Sequence, residues 1–173
     1  ATLHEMGYVV RDDDEYRVGL EFLRVGGSAR DQRTVNRLSR RRVDELATDT
    51  GEDAMFIAEE NGRGYHVYVA PGGQDTHVDT HAGKRAPLHA MAAGKAMLCH
   101  YDETRVEAIL DRWGMPALTE NTITDPEEYE EALIEVRDRG YAFNMEEQIL
   151  GYRGVAAPVR RHDGAVLGAL CLG

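Results

Sequence analysis

The sequence predicts an α/β protein of the α+β kind, in which an antiparallel sheet is flanked by helices. Three observations carry this prediction. Residues 53–70 and 154–172 alternate with a period of two between turn residues, residues 91–139 and 31–50 follow helical periods, and no strand–helix unit repeats.

In chain order, Thr2 to Met6 read as the last turns of a helix ended by Gly7. Tyr8 to Arg11 and Glu15 to Val18 form two strands around the acidic turn Asp12-Asp13-Asp14. Leu20 to Gly26 read as a short helix, with Gly26-Gly27-Ser28 as a joint. From Asp31 to Thr50 a helix carries Val35, Leu38, Val43, Leu46 and Ala47 in one stripe. Its run Arg40-Arg41-Arg42 suits either a nucleic-acid contact or a solvated face. Next, Asp53 to Glu59 and Gly64 to Ala70 form a hairpin, because Asn61-Gly62 tolerates the positive φ of a tight turn. Gln74 to Thr80 are expected as a third strand. Helices follow over Met91 to His100, Asp102 to Trp113 and Pro126 to Arg139. The last has Asp125 as cap, Pro126 at its first position and Arg137, Arg139 and Gly140 at its end. Tyr141 to Met145, Gly154 to Arg160 and Ala165 to Leu172 close the chain as strands.

Length and composition remove several classes. A chain of 173 residues, 42% hydrophobic, buries roughly two thirds of its unfolded surface without staples. The longest apolar run near either end, Val166 to Leu172, is far short of the roughly 20 residues of a membrane span. Only Cys99 and Cys171 are present, so a disulfide framework is excluded and a reducing, cytoplasmic setting is expected. The alanine start without a leader reads as a protein whose true beginning lies upstream.

Thirty-one acids face 20 bases, for a net charge of −11, and Lys84 and Lys95 are the only lysines. Such a surface repels itself until salt screens it, which suggests a salty cytosol, although an ordinary acidic protein has the same count. The charge is also uneven. Residues 1–42 hold nine arginines and seven acids, whereas residues 43–173 hold 11 bases and 24 acids.

No nucleophile elbow, phosphate loop, dinucleotide fingerprint or Ser-His-Asp order is present. Cys99 and His100 are adjacent, so on a helix they point about 100° apart and cannot act as a pair. Glu146 and Glu147, read as strand neighbours, would face opposite ways. An enzyme is therefore not expected, with a cysteine hydrolase using Cys99 or Cys171 as the residual alternative. Asp75, His77, Asp79 and His81, with His89 nearby, alternate as metal ligands would, and equally as a solvated edge would. The segment from Pro87 to Leu98 begins a helix with small residues. These suit either an anion at free N–H groups or close helix-to-sheet packing.

Several motifs taken together resemble a known family. They are Leu88-His89-Ala90-x-Ala92-Ala93-Gly94-Lys95-Ala96, Thr119-x-x-Thr122-Ile123, Val136-Arg137-x-x-Gly140-Tyr141-Ala142, Glu146-Glu147-x-x-x-Gly151, and Val155-Ala156-Ala157-Pro158-Val159 with Gly164. In order and spacing they resemble the effector-binding domain of IclR-type transcriptional regulators. Upstream, Leu3-x-x-x-Gly7-Tyr8-Val9 and Tyr16-Arg17-Val18-Gly19-Leu20 are similar to the end of that family's winged helix-turn-helix.

The resemblance implies a GAF-like (profilin-like) curved antiparallel sheet, preceded by a winged-helix fragment over residues 1–19 and a linker helix over 20–30. The effector domain would occupy 31–173. It further implies an operator-binding homodimer or homotetramer, modulated by a small organic acid, with no cofactor, no metal and no membrane partner. The implied effector residues are Val78, Ala92, Ala93, Asn144, Tyr152, Gly154, Cys171 and Gly173, and Arg11 is the implied DNA contact. Relatives that take very small carboxylates carry hydroxyl or thiol groups at the positions of Gly154, Cys171 and Gly173 and a carboxylate at Asn144. Two glycines here imply a roomier site and a larger, more apolar acid. A GAF-like sensor without DNA binding is the alternative.

If the acidic surface is a salt adaptation, stability followed by circular dichroism rises from dilute buffer to about 3 M KCl as screening shortens the Debye length. Unchanged stability over that range identifies an ordinary acidic protein.

Overall fold

The computed structural model describes residues 2–32, 34–73 and 80–173. The chain divides into two compact units, residues 1–37 and 38–173.

In the first unit, Thr2 to Met6 make a hydrogen-bonded turn that ends at Gly7, whose φ is 78°. Met6 N–H donates to Thr2 O at 3.1 Å, and Thr2 and Glu5 cap each other reciprocally. Strands β1 (Val9–Asp12) and β2 (Glu15–Val18) pair antiparallel, Val9 opposite Val18 and Asp12 opposite Glu15. Asp13 takes a left-handed φ of 53° at the turn. Helix α1 (Glu21–Asp31) runs unbroken through Gly26, Gly27 and Ser28, so the expected joint is absent. Helix formation continues across the glycines because nothing there reverses the chain.

Helix α2 (Thr34–Thr50) leads into the second unit, whose sheet is built from β3 (Ala54–Glu60), β4 (Arg63–Ala70), β5 (Arg85–Pro87), β6 (Ala142–Met145), β7 (Arg153–Arg160) and β8 (Val166–Leu172). The order is β5-β4-β3-β8-β7-β6, antiparallel at every pairing. Asn61 and Gly62 have φ of 53° and 78°, the geometry that the Asn-Gly pair predicts. The strand beside β4 is β5; the expected strand at Gln74 to Thr80 lies almost wholly outside the described residues.

The two faces of the sheet are buried differently. One packs Met55, Ile57, Ala142, Ala156, Ala169 and Cys171 against α3 (Ala92–Leu98) and against Tyr129, Leu133 and Val136 of α5 (Pro126–Arg139). On the other, Ala54 and Phe56 are buried with Val43 and Ala47 of α2. Tyr68 Oη donates to Asp44 Oδ1 at 2.8 Å, and Arg40 stacks 4.9 Å from the Tyr68 ring, which docks α2 over β3 and β4. A Cβ at Gly168 would lie 2.5 Å from Phe56 Cζ, so this strand position is small because the Phe56 ring lies on it.

Helix α4 (Glu103–Trp113) covers the β3–β4 turn, where Trp113 Nε1 donates to Asn61 O at 2.8 Å. Helix α5 has the ends its sequence predicts. Asp125 accepts from Glu127 N and Glu128 N, and Gly140 closes the helix at φ 85°. No described helix is long and apolar enough to cross a membrane.

Candidate functional site

Helix α3 is buried along its whole length, against β6, β7 and β8. Its first residues, Ala92 and Ala93, are both buried. A Cβ at Gly94 would sit 1.8 Å from Leu88 O, so the small residues at this end serve close backbone packing. Met91, the cap residue, has an apolar side chain that makes no cap bond.

The expected site residues on the last three strands do come together. Asn144 on β6 lies opposite Gly154 on β7. A Cβ built on Gly154 would be 2.8 Å from Leu172 O and 3.8 Å from Tyr152 Oη. One on Gly173 would be 2.6 Å from Tyr152 Oη. The glycines therefore admit the close approach of a neighbouring carbonyl and the tyrosine hydroxyl. Cys171 lies one residue from this group and influences the Tyr152 hydroxyl electrostatically. Burial, with Cys171 and Asp53, raises that hydroxyl to about 12, so it is a neutral donor at physiological pH.

Val78 lies outside the described residues. Arg11 belongs to the first unit, where its Nε donates to Asp13 O at 2.8 Å and its guanidinium lies 3.5 Å from Asp14. Arg41 and Arg42 both pair with Glu45, and Arg40 stacks on Tyr68, so the arginine run is engaged by its own unit.

The β6–β7 loop is held by bonds that the sequence did not reveal. Lys95 Nζ, buried on α3, donates to Glu147 Oε1 and Oε2 at 2.6 and 2.7 Å. Glu147 Oε1 also accepts Met145 N, and Glu147 N–H donates to Asn144 Oδ1 at 2.9 Å. From the segment before α5, Thr122 Oγ1 donates to Glu147 O at 2.6 Å and Thr119 Oγ1 to Glu146 O at 2.7 Å. The two glutamates diverge because the chain turns at Glu146, whose φ is 65°, and not because they alternate in a strand. Glu146 faces outward to Arg153 Nε and Gly151 N–H, which hold its carboxyl below the usual range. Lys95 offered one sequence signal, as a lone lysine within an apolar helix. Its partner is 52 residues away.

Among the described residues, Cys99, Cys171, His89 and His66 are held apart by burial and pairing. Burial raises the Cys99 thiol and pushes Cys171 to about 12, which leaves both protonated and unreactive. His89, whose Nε2 lies 3.1 Å from Pro116 O, is lowered mainly by burial. His66 is lowered to about 4 by burial, then by Lys84 and His81, and so is neutral in the folded chain. Of the alternating metal candidates, Asp75, His77 and Asp79 lie outside the described residues and His81 is exposed. No group of three potential ligands is assembled among the described residues.

The fold, a six-stranded antiparallel sheet with helices packed on it, is that of a C-terminal α+β domain of transcriptional regulators. Residues 28–173 match the family described as bacterial transcriptional regulator IclR C-terminal, and the chain belongs to the IclR family. It is 35% identical to the probable HTH-type transcriptional regulator ArcR of Halobacterium salinarum, over 98% of this chain and 66% of that protein. The crystal structure of Thermotoga maritima IclR superimposes with a TM-score of 0.86 at 25% identity, covering 98% of this chain and 69% of that one. The inducer-binding domain of the PobR transcription factor from Acinetobacter was solved as a double mutant with 3-hydroxybenzoic acid. It matches with a TM-score of 0.71 at 27% identity, over 79% of this chain and 80% of that one. These relatives are transcriptional regulators and not enzymes, and the chain spans about two thirds of the length of ArcR.

Replacing Lys95 by Met leaves the Glu147 carboxylate buried without its cation and costs about 3–5 kcal/mol in denaturant unfolding. The double variant Lys95→Met with Glu147→Leu recovers most of that loss. Equal losses in single and double variants contradict a coupled pair.

Proposed function

We propose that this chain is the ligand-sensing part of an IclR-type regulator that binds operator DNA. A small organic acid, aromatic or otherwise larger than a two- or three-carbon acid, binds where β6, β7 and β8 end beside the start of α3. In this reading Tyr152 donates its hydroxyl to the acid, and Asn144 supplies amide polarity from the facing strand. Gly154, Cys171 and Gly173 shape the wall, while Ala92, Ala93 and Val78 border the carboxylate. Residues 1–19 belong to the DNA-binding module, with Arg11 reaching phosphate. Residues 20–30 link it to an effector domain over residues 31–173. The protein works as a homodimer or homotetramer in the cytoplasm, its acidic surface suited to high salt.

The observation that carries this reading is the meeting of the Tyr152 hydroxyl with Gly154 and Gly173 beside Asn144, in a fold shared with a domain that holds 3-hydroxybenzoic acid. The neutral tyrosine hydroxyl suits a carboxylate or phenol oxygen, which accepts its proton in a charge-assisted bond. Regulation follows by linkage. An acid that prefers one quaternary arrangement shifts operator affinity in proportion, and a coupling of about 1–3 kcal/mol changes it some 5- to 150-fold. Two-fold association places paired DNA-binding modules on two half-sites.

Thermal-shift titration with benzoate, hydroxybenzoates, acetate and pyruvate at high KCl tests the site. An aromatic acid is expected to stabilise the wild type, to bind roughly tenfold more weakly to Tyr152→Phe through the lost hydrogen bond, and to leave Ala93→Trp unshifted. A panel without any stabilising acid, or an acid that stabilises all three proteins alike, overturns the reading.

A further inference from the structure

Helix α3 ends at Leu98, and the chain then turns through Cys99, His100 and Tyr101, with His100 N–H donating to Met97 O at 3.1 Å. Two arginines from other elements reach this turn. Arg137 of α5 donates its Nε to Cys99 O, which sets its guanidinium on the last carbonyls of α3. Arg160 is the last residue of β7, where alternation gives it the same face as Ala156, the face packed against α3. Its cross-strand neighbour Val166 packs on that same core. The partly buried His100 ring holds its proton less tightly than usual, first through burial, then through Arg160 and Arg137. Both guanidiniums act on the Cys99 thiol as well.

These three side chains come from three elements, and no carboxylate is committed to them. Among the described residues, neither Arg137 nor Arg160 has a carboxylate at ion-pair distance, and the His100 ring makes no hydrogen bond. On its own helix Arg137 has Leu133 and Ile134 one turn back and Gly140 and Tyr141 one turn ahead, while Glu135 and Asp138 stand at offsets that do not face it. Nearby acids are engaged elsewhere. Asp102 caps α4 by accepting Arg105 N–H at 2.9 Å, Asp163 pairs with Arg161, and Glu59 accepts the Tyr101 hydroxyl at 3.0 Å. In a chain of 31 acids and net charge −11, where Arg41, Arg105 and Arg153 each hold a glutamate, a cationic cluster without one stands out.

We propose that Arg137, Arg160 and His100 form a binding site for a phosphoryl anion, either free phosphate or the phosphate of a small monoester. One guanidinium fork satisfies a carboxylate. A phosphate brings three acceptor oxygens and nearly two charges, which match two forks and a ring N–H set around it. This site lies past the C-terminal end of α3, whereas the organic acid of the regulator reading sits at the start of that helix. It does not rest on that reading, and either can fail alone.

Proton NMR of the histidine ring protons in the full chain, with His100 assigned by its loss in His100→Gln, is followed across pH in phosphate and in chloride of equal ionic strength. Bound phosphate favours the charged ring, so His100 is expected to hold its proton about tenfold more tightly in phosphate. Exposed His4 is expected to titrate alike in both. Arg160→Gln removes a like charge and no structural bond. It is expected to raise the His100 midpoint in chloride alone and to weaken phosphate binding roughly tenfold. Methyl phosphate separates the two sources, since tighter binding of the ester assigns the site to a phosphorylated small molecule and tighter binding of phosphate assigns it to the free ion. A His100 titration that neither anion moves, that moves no more than that of His4, or that ignores Arg160→Gln overturns the proposal.

Discussion

The ammonium of Lys95 and the carboxylate of Glu147 meet in the interior, with both carboxylate oxygens engaged. Removing two charges from water costs several kcal/mol per ion, which only close geometry and further hydrogen bonds offset. Those bonds are present, since Met145 N–H completes the carboxylate while Thr119, Thr122 and Asn144 hold the backbone at Glu146 and Glu147. The pair thereby joins three parts distant in sequence: helix α3, the segment before α5 and the β6–β7 loop. That loop ends at Tyr152, whose hydroxyl lies against Gly154 and Gly173. The position of the proposed acid-binding donor thus depends on a bond buried behind it.

The sheet supplies a rigid frame for this arrangement. Its concave layer is filled by α3 and α5, and α3 is pressed so close that Leu88 O occupies the space a side chain would need at Gly94. Its outer layer is divided, one half under α2 and the other carrying the aromatic face of β6.

Local chemistry was legible where neighbours in sequence decide it. Asp125, Pro126 and Gly140 bound α5 as their types require, and Asn61-Gly62 closes its hairpin. The family resemblance named Asn144, Tyr152, Gly154, Cys171 and Gly173, and the structure sets Asn144 opposite Gly154 and the Tyr152 hydroxyl beside Gly154 and Gly173. Gly26-Gly27 misled, because glycine permits a break without demanding one and α1 continues through it. The close approach of the Leu172 carbonyl at Gly154 and of the Tyr152 hydroxyl at Gly173 is a long-range packing fact that no local pattern encodes. Pairing of Lys95 with Glu147 was hidden for the same reason. A lone lysine in an apolar helix marks a buried charge but does not name its partner.

Native-state hydrogen exchange of the wild type and Lys95→Met tests the central role of this pair most directly. If the pair fixes the loop, the amides of Met145, Glu146 and Glu147 exchange much faster in the variant under conditions where the α4 amides keep their protection. Unaltered exchange at those three amides in a folded variant, or an equal acceleration throughout the domain, contradicts it.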